Sequence, residues 1–208
     1  MSNFIKALRI SLIMLLICGL IYPLTMTGIS KLLFPKQSNG SLIESNGKKV
    51  GSILIGQNFT DNRYFHGRVS ANNYNTYTKE DEKPVNEGEI RYTGVSSGST
   101  NLSPSNPVLV ERVKKDMDEL LKNNPGISNE NVPTDILTSS ASGLDPHISP
   151  EAARIQIPAV SIATGISETD LKGIVDSCTE VRTFGVFGEP RVNVLLANLE
   201  IQKRIEAR

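Results

Sequence analysis

Between Arg9 and Lys31 this chain carries no charged side chain. Residues 10–30 read ISLIMLLICGLIYPLTMTGIS, 21 residues in all. At about 1.5 Å of rise per residue, that run crosses the roughly 30 Å of hydrocarbon in a bilayer. Lipid offers the backbone no hydrogen-bond partner, so the segment must be a helix. A cleaved secretory signal is the rival reading, with Lys6 and Arg9 as its basic region. Its apolar core would normally be only about 7–15 residues long, and no A-x-A-like cleavage site follows. An uncleaved anchor is therefore expected. Lys6 and Arg9 face Lys31 and Lys36 across the span, a slight charge bias, and long C-terminal domains translocate largely regardless of charge. The favoured arrangement is a cytoplasmic N-terminus over residues 1–9, a transmembrane helix over 10–33 and one extracytoplasmic soluble domain over 34–208. The chain would then sit as a single-pass protein of the plasma (inner) membrane.

All 22 acidic residues follow position 34, with 19 of the 22 basic ones, so the domain has a net charge of −3. No basic field for nucleic acid or anionic lipid arises from that balance. The two cysteines, Cys18 in the span and Cys178 in the domain, cannot staple the domain, which must stand on packing.

Helix and strand signals alternate without any repeat, which predicts an α+β fold: one transmembrane helix followed by a single mixed helix/sheet domain. Residues 42–59 read as a hairpin turning on Asn46-Gly47, whose pairing suits two positive φ angles. Residues 63–71 could add a short strand, and polar residues 72–100 read as a long surface excursion. A helix is predicted over 107–122, with Asn106 as cap, Pro107 in the first turn and a stripe of Val110, Val113, Met117, Leu120 and Leu121. Residues 134–138 suit a short buried strand. Ser149-Pro150-Glu151 opens a second helix that Pro158 interrupts or restarts. Residues 167–181 give a third helix with Leu171, Ile174, Val175 and Cys178 on one face. Residues 192–196 read as a strand, before a tail that could be helical.

Catalytic motifs do not emerge. Gly94-Val95-Ser96-Ser97-Gly98-Ser99 lacks the Lys of a phosphate loop and reads as a flexible loop. His66 and His147 lack metal-ligand spacing to each other or to a cysteine. Asp145-Pro146-His147 reads as a turn with Asp145 accepting local N–H bonds, since residues two apart across a proline do not give a triad line. Glu189-Pro190-Arg191 reads as an ion-paired turn. No metal or catalytic residue is expected, and no cofactor is assigned to this chain.

Along the anchor, Ser11, Leu15, Gly19, Pro23 and Thr27 recur every four residues. Small residues in a span mark where another helix can approach closely, and Pro23 would kink the helix and free backbone groups for a neighbour. An ordinary tether with incidental Gly and Pro explains the stripe equally well.

Several strings resemble the C subunit of the Kdp-type potassium-transporting P-type ATPase. They are Gly56-Gln57-Asn58-Phe59, Tyr64-Phe65-His66-Gly67-Arg68, Ser97-Gly98-Ser99-Thr100-Asn101-Leu102, Ser105-Asn106-Pro107, SGLDPHISP over residues 142–150 and GEPRVNVL over residues 188–195. They stand in the family's order, from the anchor to about Asn198. Val69, Ser99-Thr100 and residues 138–141 depart from the family's usual residues, which bears on loop geometry only. The motif residues so marked include Asn106, Pro107, Gly143, Asp145, His147, Pro150, Glu189, Pro190, Arg191 and Asn193.

The resemblance implies a complex of four subunits for high-affinity, ATP-driven potassium uptake. The partners would be a channel-like potassium-translocating subunit, a P-type ATPase subunit and a very small accessory subunit, all in the lipid bilayer. ATP and potassium would be handled by those partners, since this chain lacks Asp-Lys-Thr-Gly. Two roles compete. One is structural: the helix packs on the channel-like subunit and the outer domain stabilises assembly or shapes ion entry. The other is a catalytic chaperone that raises the pump subunit's ATP affinity, with residues 149–156 as the stretch and Gln156 as the nucleotide contact. A free-standing anchored binding module is a third, weaker alternative.

Overall fold

The computed structural model describes residues 2–77, 84–86, 89–90, 94–124 and 126–207. Two compact units share the chain, Met1–Ser52 and Ile53–Arg208. Together they form the expected mixed helix/sheet chain with one long apolar N-terminal helix.

The first unit opens with helix α1 (Ser2–Leu16), a π-helical turn (Ile17–Ile21) and helix α2 (Tyr22–Leu33) in one continuous run. Across Asn3–Leu33 this run is long and apolar enough to cross a membrane, and almost every side chain on it is exposed. Just before Pro23, the Tyr22 N–H bonds to the Ile17 carbonyl, five residues back. Pro23 itself has no N–H to give, and a widened turn lets the helix pass it without ending. The Thr27 hydroxyl donates to the Pro23 carbonyl at 2.7 Å. A short helix α3 (Pro35–Ser38) then leads to hairpin strands β1 (Leu42–Ser45) and β2 (Lys48–Ser52). Asn46 and Gly47 take φ of 51° and 72°, as the Asn-Gly pair predicts, and Ser45 pairs with Lys48 across the turn.

Pairing stops at Ser52, so the expected strand over residues 50–59 is cut short. Beyond it the backbone is held by other groups: the Asn193 side-chain N–H₂ donates to the Ile53 carbonyl, and the Gly56 N–H donates to the Leu144 carbonyl. Residues 63–71 likewise form no strand, only one parallel bridge between Val69 and Ser139. Of the polar excursion, residues 78–83, 87–88 and 91–93 lie outside the described residues. Strands β3 (Pro84–Asn86) and β4 (Glu89–Ile90) pair antiparallel within it. In its first part Tyr74 is buried, while Asn73 and Thr76 beside it are exposed.

Helix α4 (Pro107–Asn123) starts as predicted, with the Asn106 side chain accepting the Val108 N–H. Val113, Met117 and Leu120 pack on the core, whereas Val110 is exposed. Residues 134–138 are helical, not extended: α5 (Thr134–Leu137) is a single turn burying Ile136 and Leu137. An apolar pair satisfies either conformation, and Pro133 followed by Thr-Asp starts a helix.

Strand β5 (His147–Ile148) leads to helix α6 (Pro150–Thr164), capped by the Ser149 hydroxyl on the Ala152 N–H. The helix runs straight through Pro158, contrary to the expected interruption. Pro158 leaves the carbonyl of exposed Arg154 without its helical donor, where water can reach it, while Ala152, Ala153, Ile157 and Val160 bury the opposite face. Gly165, at φ 71°, ends it. Helix α7 (Glu168–Ser177) buries Leu171, Ile174 and Val175 as its period predicts. It stops short of the expected residue 181, because Thr179 and Glu180 form strand β6 (Thr179–Glu180). Strand β7 (Arg191–Asn193) is the centre of a three-stranded antiparallel sheet ordered β5-β7-β6. At Asn193 the chain turns into helix α8 (Val194–Glu206), so residues 194–196 are helical rather than extended. Asn193 caps that helix by accepting the Leu196 N–H.

The candidate functional site

Side chains from β7, α6 and α8 hold the segment from Ile53 to Tyr74, which has little regular structure of its own. Buried amides hold it. Asn198 on α8 is 2% exposed; its oxygen accepts the Phe65 N–H at 2.8 Å and its N–H₂ donates to the Phe65 carbonyl at 2.9 Å. Gln156 on α6 repeats the device one residue on. Its oxygen accepts the His66 N–H at 2.8 Å, and its N–H₂ donates to the His66 and Ala152 carbonyls. Each amide serves as a strand would, matching both polar groups of one backbone residue where no ladder exists. Between them Phe65 inserts its ring into the core, 1% exposed.

The SGLDPHISP loop lies against the same segment. The Asp145 carboxylate accepts the His147 N–H at 3.0 Å, the local turn the sequence predicts, and also binds Arg68 at 3.0 Å. Arg68 further donates to the Thr138 hydroxyl and the Ser139 carbonyl. Burial pushes the Asp145 carboxyl up, but the hydrogen bonds from His147 and Arg68 together outweigh it and hold the group below the usual carboxylate range. The His147 ring lies with Nδ1 3.5 Å from Asp145 and Nε2 4.0 Å from Glu180. Upstream of the loop, Asp135 takes both the N–H and the hydroxyl of Ser149, tying α5 to the start of α6.

Tyr74 closes the loop from the other side. Asn73, Tyr74 and Asn75 all adopt positive φ near 50°, a costly run for non-glycine residues. Ser70 organises it, accepting the Tyr74 N–H and donating to the Gly143 carbonyl. The phenol donates to the Arg68 carbonyl at 2.7 Å, and its ring lies flush on Gly56 and Gly67. A Cβ on Gly56 would stand 2.5 Å from the ring and 2.6 Å from the Asp145 carbonyl. Burial is the main cause that pushes the Tyr74 hydroxyl up to about 12.

Of the residues singled out from sequence, Gly143, Asp145, His147, Gln156 and Asn193 therefore converge on one framework, and Pro150 is buried at the start of α6. Asn106 and Pro107 do a separate job at the start of α4. Glu189 and Arg191 are exposed and do not pair with each other: Glu189 binds Arg182, and Arg191 binds Glu180 across the sheet. Ser11, Gly19, Pro23 and Thr27 lie on the exposed apolar helix, and a Cβ on Gly19 would meet nothing. Sequence reasoning missed Tyr74, Asn198, Arg68 and Asp135 as site residues. The hints were Arg68's place in the Tyr64-Phe65-His66-Gly67-Arg68 string and, for Tyr74, an aromatic isolated among asparagines. A cleft of about 510 Å³ opens beside the clamp, with Asn58, Tyr64, His66, Glu119 and Gln156 among its walls.

The family model described as KdpC, K+-transporting ATPase, c chain, matches residues 4–203. The chain belongs to this family. It is 56% identical to the potassium-transporting ATPase KdpC subunit of Clostridioides difficile (strain 630), over 98% of both chains. Identity to the KdpC subunit of Clostridium kluyveri is 54%, over 99% of this chain and 97% of the relative. For the KdpC subunit of Bradyrhizobium diazoefficiens it is 47%, over 95% and 94%. The resemblance carried by SGLDPHISP and GEPRVNVL is thus confirmed along nearly the whole length. Membership in the KdpC family makes this chain a subunit of a potassium-transporting ATPase, and its N-terminal helix associates it with the membrane.

Proposed function

We propose that this KdpC-family chain is a non-catalytic subunit that stabilises a high-affinity potassium uptake complex and modulates the pump from outside the membrane. Its helix, N-terminus inward, packs against the channel-like subunit, and its domain covers that subunit's external surface. The ATPase subunit and the small accessory subunit complete the assembly; ATP and potassium are handled by the partners. The observation that carries this reading is where the family-motif residues direct their polar groups. Gly143, Asp145 and Asn193, together with Gln156 of the suspected nucleotide stretch, engage the chain's own backbone or side chains. Such a framework builds a rigid shape for a partner.

The catalytic-chaperone alternative gains one observation, that Gln156 lines the cleft. Against it, both Gln156 amide hydrogens and its oxygen already bond within the chain. An outward domain would reach ATP affinity only allosterically, through the subunit contacts. Ser128 is exposed at the end of the loop after α4 and suits a topology probe. In a Ser128→Cys variant, an impermeant thiol reagent on intact cells should label the chain well above the parent carrying only Cys18 and Cys178. Protection until lysis would overturn the orientation. A tagged chain purified in mild detergent should bring the other subunits with it; a solitary chain would favour a free-standing binding module.

A further inference from the structure

Between β6 and β7 the chain makes a ten-residue excursion, residues 181–190, whose apolar side chains face solvent. Val181 is 80% exposed, Phe184 91%, Val186 70% and Phe187 68%. Isolated exposed apolar residues are ordinary, but two aromatics and two valines within seven residues are not. The excursion is held in shape by its own backbone. Thr183 and Phe187 exchange both N–H···O bonds, at 2.8 and 3.0 Å, and Gly185 and Val186 donate back to Arg182 and Thr183. Phe184 is kept at φ 55° and Gly185 at 73°, so a bulky side chain occupies a left-handed position at the very tip. The loop's own hydrogen bonds hold that strain, and backbone strain of this kind clusters at functional positions such as ligand clamps.

Charges around the excursion cancel within the chain. Arg182 pairs with Glu189 at 2.5 Å and Arg191 with Glu180 at 2.7 Å, both at the base of the loop. A lipid surface is engaged by free Lys and Arg beside apolar Trp, Phe or Leu; residues 179–191 contain no Lys, and both their arginines are paired, so the attraction of free charge to the surface is missing. A protein pocket asks for the opposite: a preorganised aromatic anchor with a neutral, self-satisfied polar rim. We infer that Phe184 and Phe187 are the anchor by which this chain plugs into an uncharged apolar pocket on another subunit of the potassium-transporting ATPase. The inference rests on the assembly reading above and names a contact for it.

Replacing Phe184 by p-benzoylphenylalanine keeps the aromatic and adds a photo-crosslinker. With all subunits co-expressed in membranes, illumination should yield an adduct of this chain with one other subunit of the complex. Adducts with lipid alone, or with a second copy of this chain, would overturn the inference while leaving assembly intact. In parallel, F184S/F187S should cut recovery of the other subunits with the tagged chain at least tenfold, with its thermal melt unchanged. Undiminished recovery would count against the anchor. If the unaltered chain recovers no partner, the assembly reading falls and takes this inference with it.

Discussion

Residues 53–75 and residues 181–190 are both irregular, yet one is tied into the core and the other stands clear of it. The first stretch is rich in Asn and partly exposed yet tied into the core, with Phe65 and Tyr74 buried and its backbone gripped by Gln156 and Asn198. The second is rich in Val and Phe yet projects into solvent. What separates them is how their backbones are satisfied. The first has no ladder and depends on buried side-chain amides from distant helices. The second closes on itself and needs nothing from the core. A polar residue can therefore be the more structural of two, and an apolar one the more free to serve a partner.

The sharpest way to break that contrast is to cut the clamp. Asn198→Ala strands the Phe65 N–H and carbonyl in a dry core and should cost about 2–4 kcal/mol, read as a lower thermal melt of the full chain in detergent. A change under about 0.5 kcal/mol would mean the amide is not structural. Gly56→Ala should cost about 1–3 kcal/mol by overpacking against Tyr74 and the Asp145 carbonyl. Gln156→Ala should cost about 1–2 kcal/mol in the same assay. If the mutation instead left stability alone and lowered the complex's ATP affinity, the chaperone reading would gain.

Titration offers a subtler handle. The Asp145 pKa is lower in the folded chain than in the unfolded one, so its contribution is full above the unfolded value and fades as pH falls through the folded one. Asp145→Asn should flatten the acid side of the stability profile; an unchanged profile would remove Asp145 from the framework. Tyr74 acts in the opposite sense: raised to about 12, it contributes below the unfolded value near 10 and fades as pH climbs to about 12. Tyr74→Phe should shift that alkaline limb. The smallest expected effect belongs to the excursion. F184S/F187S should move stability by no more than about 0.5 kcal/mol, since neither ring is packed.

Much of the local architecture was legible in the residues. Asn106 and Ser149 announced two helix starts, Asn46-Gly47 announced the turn, and the period of α7 marked its buried face. Each depends on neighbours within a few positions. The misread elements share a cause of the other kind. Residues 53–59 alternate like a strand but lend their carbonyls and N–H groups to Asn193 and Leu144, 88 or more positions away. Pro158 looks like a breaker, but burial of Ile157 and Val160 holds the helix through it. Tyr74 looks like surface because its neighbours are polar.

The sequence by itself determined that one apolar helix begins this chain, that it belongs with the C chains of potassium-transporting ATPases, and where most helices start. Charge spacing, caps and motif strings are local quantities, readable in order. Only the tertiary structure decided that Gln156 and Asn198 are backbone clamps, that Asp145 answers to Arg68, and that residues 181–190 face outward. Those outcomes depend on which distant groups meet, and a hydrogen bond spanning 133 residues leaves no periodic trace along the chain.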